Sequence, residues 1–374
     1  MKLKALILLS LIMTTSVVSS STSFPIAEGK EITDVKVLML ICDNFGWNYF
    51  DAKEILESWG VNVTTLSNSL DTNISACVNR PDNWTIADLL LKDVEDDIAS
   101  QFDILFIPAG AQWHSLIASP RVLGFISNAY NLGLIIGAIC IGNRVLSEAN
   151  DIVNGSSVAS YSNTNIYMFA AGATVRYGVD VVSDNRIITG GAGGGPAGGG
   201  YTIAPTSEVC AAVVRKALDY SYINQVSIAP LTGEAGTNFT ITVNVDDHNS
   251  EFGGLFSVDT NITEVSATIF TKENRTLIES IELNNADLDS IYVGTFTGTT
   301  NGEYLIDFEI EDSNSTLEID RELVVFSIGD ETTPTSTSTS SGTLAGPDVI
   351  LIGTLGGISA AVIVVIAVVL KKYR

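Results

Sequence analysis

Residues 134–146, L-I-I-G-A-I-C-I-G-N-R-V-L, place a cysteine at the end of an apolar run. Small residues stand two positions before it and two positions after it, at Ala138 and Gly142. This spacing is typical of a nucleophile elbow, in which a sharp strand-to-helix turn exposes a reactive side chain. A helix that begins near Gly142 would favour the thiolate, so the pattern predicts a nucleophilic Cys140 with a lowered pKa. A buried structural cysteine is the alternative, since cysteine is often buried.

A cysteine nucleophile needs a proton acceptor within hydrogen-bond reach, and the chain offers few. Of the two histidines, His114 follows the P-A-G turn on the side of the sheet that would hold Cys140. His248 falls in a later, strand-rich region and is expected on the surface. Asp43 and Asp51 lie in the segment after the first strand. His114, Asp43 and Asp51 are therefore the candidate acid–base residues, although no standard Cys–His–acid triad is visible.

The elements that would position these residues alternate between apolar strands and helical segments. V-K-V-L-M-L-I-C is a continuous apolar run, typical of a parallel strand covered on both faces. An amphipathic segment that ends at Gly60 follows it. F-D-I-L-F-I-P-A-G and G-L-I-I-G-A-I-C repeat the strand pattern. We therefore predict that residues 34–221 form an open, flavodoxin-like α/β domain with a parallel sheet and helices on both faces.

The segment from about 36 to 218 resembles the ThiJ/PfpI family of the class I glutamine amidotransferase-like superfamily. The resemblance rests on the stretches K-V-L-M-L-I, F-D-I-L-F-I-P-A-G, G-A-I-C-I-G and G-V-D-V-V-S-D-N-R-I-I-T-G-G. It implies that Cys140 is the reactive group. It also implies that the backbone N–H groups of Gly110 and Ile141 face the developing charge as an oxyanion site. Relatives often pair with themselves, which makes a homodimer an expectation for this chain.

The same resemblance places a pocket-lining loop at the glycine-rich stretch 190–201, where a flexible loop is the alternative. The expected pocket residues are Gly193, Gly194, Gly195 and Tyr161. The stretch lacks the G-K-S/T of a phosphate-binding loop.

The chain also departs from the family pattern. Members usually carry a glutamate just after the first strand, hydrogen-bonded to the cysteine. Here that loop reads C-D-N-F-G-W-N-Y-F-D, and Asn48 is expected nearest to the glutamate position. Many members have a histidine directly after the cysteine or further along, whereas here Ile141 follows Cys140 and Tyr161 stands at the later place. These departures weaken the prediction of an enzyme and favour a module that keeps only the fold.

After about residue 222 the pattern changes to strands alone. N-F-T-I-T-V-N-V alternates, which places Phe239, Ile241, Val243 and Val245 on one face. About seven short strands separated by Asn, Asp and Gly turns indicate an immunoglobulin-like sandwich at residues 225–328. This region contains no cysteine, and its expected role is spacing or docking.

The two ends of the chain predict its location. Residues 1–23 have a basic start, a short apolar core and small residues, which is typical of a signal peptide. A Ser/Thr/Pro-rich stalk is predicted at 329–347 and a transmembrane helix at 348–370. The basic tail 371–374 would remain in the cytoplasm, which leaves the preceding residues outside as the ectodomain of a single-pass membrane protein. The chain would then contact the membrane only through this helix.

N-glycosylation sequons agree with an outer location. They occur at Asn62, Asn73, Asn83, Asn154, Asn238, Asn261, Asn274 and Asn314. The net charge of −24 argues against a nucleic-acid partner.

The remaining cysteines are Cys42, Cys77 and Cys210. Thiols outside the cell tend to pair, and a bridge between Cys42 and Cys77 is one option. The sequence has no C-x-x-C and no His/Cys spacing for zinc, so no cofactor or metal is predicted.

Three functions remain open from the sequence. The first is a cysteine-dependent hydrolase of amides or peptides, or a carbonyl-processing enzyme of the deglycase type. The second is a catalytically silent module that keeps the fold and binds a small molecule or peptide. The third is a glycosylated surface protein whose sandwich mediates contacts. Fold alone does not decide between them.

Overall fold

The computed structural model describes residues 30–77, 83–191, 204–245, 261–285 and 290–329. Four predicted features lie outside these residues: the signal peptide, the transmembrane helix, the cytoplasmic tail and nearly all of the stalk. The predicted pocket residues Gly193, Gly194 and Gly195 also lie outside them, as does His248. Within the described residues, no helix has the length and apolar character needed to cross a membrane.

The first part of the chain alternates strands and helices. In chain order the elements are β1 (Lys36–Ile41), α1 (Asn48–Ser58), β2 (Asn62–Ser67), β3 (Asn73–Ser75), β4 (Trp84–Ile86), β5 (Leu89–Leu90), β6 (Ile104–Ile107), α2 (Trp113–Ile117), α3 (Pro120–Asn131), β7 (Ile135–Ile139), α4 (Asn143–Leu146), β8 (Ser157–Ala159), α5 (Asn165–Ala170), β9 (Thr174–Arg176), β10 (Val181–Asp184), β11 (Ile187–Gly190) and α6 (Thr206–Ala217).

Six strands of this part form a parallel sheet in the order β11-β7-β6-β1-β2-β5. Alternate residues of β1 point to opposite faces, because side chains alternate along a strand. Val37 and Met39 pack in one core with α1 and α6. Leu38 and Leu40 pack in a second core with α2, α3 and α4. Both faces are covered, which confirms the predicted flavodoxin-like α/β fold and explains why its strands are continuous apolar runs.

The second part is rich in strands. They are β12 (Ile223–Ala229), β13 (Thr232–Gly233), β14 (Asn238–Val245), β15 (Ile262–Thr271), β16 (Leu277–Glu282), β17 (Ile291–Thr297), β18 (Gly302–Asp312) and β19 (Thr316–Ile328). Strands β12, β14 and β17 form one antiparallel sheet. Strands β16, β15, β18 and β19 pair in that order.

The alternation expected along β14 is confirmed. Phe239, Ile241, Val243 and Val245 are buried, and they share one core with residues of β15, β18 and β19.

The strand-rich region is joined directly to the α/β sheet. Strand β19 pairs in parallel with β10, in the register Val181↔Thr316 to Asp184↔Ile319. Strand β10 pairs on its other side with β11 in a hairpin, so its free side was available to β19. One sheet therefore runs from β16 to β5. The strand-rich region therefore extends the α/β sheet, and its role in spacing or docking stays a prediction.

All four cysteines are free in the structure, so the Cys42–Cys77 bridge is absent. Cys42 directly follows β1 and is buried, and its thiol lies 3.6 Å from the carbonyl oxygen of Gln112. Burial raises the pKa of Cys42 to about 12. Burial also raises the pKa of Cys210, which is completely enclosed in α6. Neither thiol is suited to reaction.

Candidate active site around Cys140

The predicted elbow is present at Cys140. The chain leaves β7 at Ile139, makes a 3₁₀ turn over Cys140–Gly142 and continues into α4. Cys140 has φ 57°, a left-handed conformation that residues other than glycine rarely adopt. Strain of this kind persists only where the surrounding structure enforces it, and it is frequent at functional sites.

Gly142 holds the turn against the neighbouring strand. A Cβ at this position would lie 2.8 Å from the carbonyl oxygen of Ile107 and 3.0 Å from that of Pro108. The small residue two places after the cysteine is therefore required by the close approach of the elbow to the end of β6. This is the packing that the sequence pattern predicted.

The Tyr161 side chain and the Ile141 backbone N–H are close enough to the Cys140 sulfur to lower its pKa by hydrogen bonding. Burial raises the pKa of Cys140, and these two hydrogen bonds lower it in part; the net result is a pKa above the ordinary thiol value. The predicted lowering is thus corrected. Helix α4 spans only Asn143–Leu146, and its dipole does not compensate for the removal of the sulfur from water.

Tyr161 owes its position to the segment between β8 and α5. Its backbone N–H donates to the Asn165 side-chain oxygen at 2.8 Å, and its carbonyl accepts from the Thr164 hydroxyl at 3.0 Å. The sequence drew attention to Tyr161 only as a residue standing where a histidine is often found. In the structure its side chain is the one that lowers the pKa of the Cys140 thiol by hydrogen bonding.

The loop after β1 forms the next side of the site. Phe45 forms an isolated antiparallel β-bridge with Gly110, and the N–H of Gly46 donates a hydrogen bond to the carbonyl of Ala109 at 2.7 Å. Gly110 has φ 117°, and a Cβ there would lie 2.1 Å from the Gly46 nitrogen, so only glycine fits. The Asn48 side-chain oxygen accepts from the Ala109 N–H at 3.2 Å. Gly110, one of the two expected oxyanion donors, therefore belongs to a loop fixed against the start of α1.

The Asp43 carboxylate accepts hydrogen bonds from two serine residues. Its carboxylate accepts from the Ser69 hydroxyl at 3.0 Å, and from the Ser75 N–H at 3.1 Å and hydroxyl at 3.0 Å. Burial alone would raise its pKa, but these hydrogen bonds hold the pKa below the ordinary carboxyl value. Asp43 therefore fastens the loop after β1 to β3, and it is not among the groups that affect the pKa of Cys140.

His114 and Asp51 are likewise not among the groups that act on the pKa of Cys140. His114 is exposed on α2, and its ring stacks on that of Trp113 with centroids 3.6 Å apart. Asp51 lies in the first turn of α1, half-buried. Neither residue influences the pKa of Cys140. Tyr161 and Ile141 thus act on the Cys140 thiol, and none of the three predicted acid–base residues is among the groups that shift its pKa.

Two polar residues of the site were missed or underrated by sequence reasoning. Gln112, 1% exposed, accepts from the Cys42 N–H at 2.9 Å and donates to the carbonyls of Pro108 and Ala109 at 2.9 and 3.1 Å. It ties the P-A-G loop to the end of β1. Asn48 is 2% exposed and fixes the same loop from the other side. A glutamine just after the P-A-G turn gives no signal that distinguishes it from a surface residue.

Among the described residues, no group of three or more His, Cys, Asp or Glu side chains is arranged to hold a metal ion.

Comparison with known proteins supports the family assignment for part of the chain. Residues 35–197 match the family model described as the DJ-1/PfpI family. This segment is therefore a DJ-1/PfpI-family domain, as the resemblance to ThiJ/PfpI proteins implied. No curated protein matches the chain.

Several solved structures are similar to the chain. A two-domain protein of Anabaena variabilis, with DJ-1/ThiJ/PfpI-like and ferritin-like domains, is 23% identical with a TM-score of 0.42; the match covers 50% of this chain and 48% of that one. A ThiJ/PfpI domain protein of Brachyspira murdochii is 22% identical with a TM-score of 0.42, covering 50% and 98%. DJ-1 of Schizosaccharomyces pombe is 20% identical with a TM-score of 0.39, covering 50% and 90%. The chain thus spans about half of the Anabaena protein.

Proposed function

We propose that the DJ-1/PfpI-family domain uses Cys140 to process small reactive carbonyl compounds. The observation that carries this proposal is the left-handed elbow at Cys140, whose sulfur accepts hydrogen bonds from the Ile141 N–H and the Tyr161 side chain. Both donors would remain beside the sulfur as a carbonyl carbon approaches it. Preorganised donors of this kind stabilise the charge that develops on the carbonyl oxygen.

The reaction step is addition of the thiol across the carbonyl. The sulfur forms a bond to the carbonyl carbon, the C=O π bond opens onto oxygen, and the S–H proton moves to that oxygen. The product is a hemithioacetal, and no oxidant or cofactor is consumed. The Tyr161 hydroxyl is placed to pass the proton, since it can give its own proton to the oxygen while it receives the one from sulfur.

Hydrolysis of an amide or peptide is less well supported. That reaction must protonate an amine leaving group, usually from a histidine or a carboxylic acid beside the nucleophile. Among the described residues, the two side-chain or backbone groups that act on the pKa of Cys140 are Tyr161 and Ile141, and neither is a histidine or a carboxylic acid. An aldehyde adduct has no amine to expel. Its formation therefore needs only hydrogen-bond donors, such as the Ile141 N–H and the Tyr161 hydroxyl.

A catalytically silent binding site is the second candidate. It is favoured by the raised pKa of Cys140, which keeps the thiol protonated at neutral pH. Such a site would hold a carbonyl ligand reversibly without turnover.

We also propose that the chain is a surface protein anchored by the predicted transmembrane helix, with an immunoglobulin-like strand region. The sequon positions support exposure to a glycosylating compartment. Six of the eight asparagines are exposed, at Asn62, Asn73, Asn154, Asn238, Asn261 and Asn274. The other two are less exposed: Asn83 is half-buried, and the side-chain nitrogen of Asn314 is buried without a hydrogen-bond partner in the described part of the chain.

The test compares the full-length protein with Cys140→Ser and with Cys77→Ser, a half-buried free thiol that serves as the matched control. The probes are ¹³C-labelled acetaldehyde and methylglyoxal, followed by NMR. We expect a hemithioacetal carbon signal from both compounds with the wild type and Cys77→Ser, and neither signal with Cys140→Ser. Turnover is expected only for methylglyoxal, whose hemithioacetal can rearrange by an internal hydride shift and be hydrolysed by water to lactate with release of the thiol. An adduct without consumption would favour the binding site. Equal behaviour of Cys140→Ser and wild type would refute both candidates.

A further inference from the structure

We propose that the Asn48 side-chain amide donates a hydrogen bond to the oxygen of the ligand at Cys140 and makes the site selective for carbonyl-bearing molecules. The inference deepens the function proposed above and rests on Cys140 being the reactive group. Its starting observation is that Asn48 is 2% exposed and that its side-chain nitrogen has no hydrogen-bond partner in the described part of the chain.

The hydrogen bond to the side-chain oxygen of Asn48 fixes the orientation of its amide group. The Asn48 side-chain oxygen accepts from the Ala109 N–H at 3.2 Å. An amide NH₂ has no acceptor capacity, so exchanging the two ends would place one donor against another. The side-chain nitrogen is consequently the unpartnered end. A buried donor without a partner costs free energy, and a ligand acceptor would recover it.

The topology places Asn48 and Cys140 on two sides of one short loop. Strand β6 lies between β1 and β7, and all three are parallel, so their carboxyl ends lie at the same edge of the sheet. The residues after β6 contact the Asn48 side chain through Ala109. The carbonyls of Ile107 and Pro108, just before it, contact Gly142 of the elbow.

The two residues also share a face of the sheet. Cys140 packs against the core that contains Tyr49, the residue after Asn48, together with Phe45. Gly46 leaves room for the amide, because a Cβ there would lie 3.0 Å from the Asn48 side-chain oxygen and 2.9 Å from the Ala109 carbonyl. A larger residue at 46 would displace Asn48.

The donor set defines the chemistry of the ligand. The Ile141 N–H and the Asn48 NH₂ only donate, and the Tyr161 hydroxyl donates to the sulfur. Donors that converge at a nucleophile suit an oxygen with lone pairs, such as that of an aldehyde or ketone. They do not suit an ammonium group, which brings further donors.

The experiment measures alkylation of Cys140 in the full-length protein by peptide mapping, in a Cys77→Ser background. Iodoacetamide carries a carbonyl oxygen, whereas iodoethane carries none. The ratio of the two rates reports the hydrogen bond to the reagent oxygen, because a change in the thiolate fraction affects both rates equally. The variants are Asn48→Leu and the isosteric Asn48→Asp, which keeps an acceptor for the Ala109 N–H. Asn128→Leu, which removes a donor to the Asp96 carbonyl, is the control.

We expect the iodoacetamide-to-iodoethane ratio to fall about fivefold in Asn48→Leu, as for loss of one uncharged hydrogen bond, and further in Asn48→Asp, which presents an acceptor instead. The ratio in Asn128→Leu should equal that of the wild type. Asn48→Asp keeps the side-chain shape and serves if Asn48→Leu does not fold. An unchanged ratio in Asn48→Asp would overturn the inference, even if both rates change together.

This outcome is separable from the function proposed above. A lower ratio without aldehyde consumption leaves Asn48 as the donor of a binding site. Aldehyde consumption with an unchanged ratio keeps the proposed function and removes Asn48 from it. Failure of both reagents to alkylate Cys140 would overturn both.

Discussion

Arg321 on β19 and Asp184 on β10 form a two-point ion pair between the strand-rich region and the α/β sheet. The Arg321 Nε lies 2.7 Å from one Asp184 oxygen, and a terminal guanidinium nitrogen lies 2.5 Å from the other. Asp184 is 1% exposed and also accepts from the Ser157 N–H at 2.6 Å. Arg321 therefore compensates the buried charge of Asp184 at the pairing of β10 with β19, where the two parts of the chain meet in one sheet.

Replacing Arg321 with alanine should destabilise the protein strongly. The change removes the cation that is hydrogen-bonded to the buried Asp184 carboxylate, while Arg176 stays within electrostatic reach of it, so we expect a loss of about 2 kcal/mol. The matched control is Arg121→Ala, which breaks an exposed pair with Asp96 and should cost about 1 kcal/mol or less. Urea denaturation of both variants measures the difference. Equal losses would show that the junction pair contributes no more than a surface pair.

The two parts of the chain should unfold together. Besides the β10–β19 pairing, Arg215 of α6 bonds to the Tyr222 hydroxyl at 2.6 Å and to Glu318 of β19 at 2.9 Å, and all three residues are buried. Opening the strand-rich region alone would expose these groups and the edge of β10. We expect one calorimetric transition with equal calorimetric and van't Hoff enthalpies. Two resolved transitions would contradict this coupling.

Much of this architecture follows from sequence, but the junction does not. The apolar runs of β1, β6 and β7 predict a covered parallel sheet, and alternation along β14 predicts its buried face. The pairing of β10 with β19 joins residues more than a hundred positions apart, and backbone hydrogen bonds leave no trace in residue type. A local pattern therefore gives no indication that the two regions share a sheet.

Sequence also predicted only some features of the candidate site. The elbow at Cys140 was predictable because backbone sterics demand small neighbours such as Gly142. The acid–base candidates were not, because a carboxylate such as Asp43 is equally suited to a local serine cluster. Burial by residues that are distant in sequence raises the pKa of Cys140. The sequence pattern around Cys140 indicates only the adjoining helix, so it predicted a lowered pKa instead.

Replacing Tyr161 with phenylalanine should raise the pKa of Cys140 further. Burial already raises this pKa, and the Tyr161 side chain opposes the rise with a hydrogen bond that favours the thiolate. Without it, alkylation of Cys140 at pH 8 should slow about fivefold. The control is Tyr167→Phe, a half-exposed tyrosine beneath the Arg144 guanidinium. A pH–rate profile unchanged in Tyr161→Phe would remove this residue from the site.

Replacing Asp43 with asparagine should affect stability and not Cys140. The folded-state pKa of Asp43 lies below the ordinary carboxyl value, so its contribution is present above that value and is lost as the pH falls through the folded-state pKa. The acid limb of the stability curve should therefore be shallower in the variant. Hydrogen exchange at Ser75 should become faster, and the rate of Cys140 alkylation should stay the same. A large change in that rate would return Asp43 to the list of acid–base residues.

Replacing Gly110 with alanine should be far more costly than the same change at Gly155. Both glycines have positive φ, 117° and 77°, so alanine is strained at either position. At Gly155 a Cβ would meet nothing within 4 Å, and we expect a loss of about 1–2 kcal/mol. At Gly110 it would lie 2.1 Å from the Gly46 nitrogen, so the loop must move away from the start of α1. We expect a larger loss of stability for Gly110→Ala, together with a changed alkylation rate at Cys140, while Gly155→Ala keeps the wild-type rate. Equal stability of the two variants would show that the contact between the Gly46 and Gly110 segments is not required to hold the site.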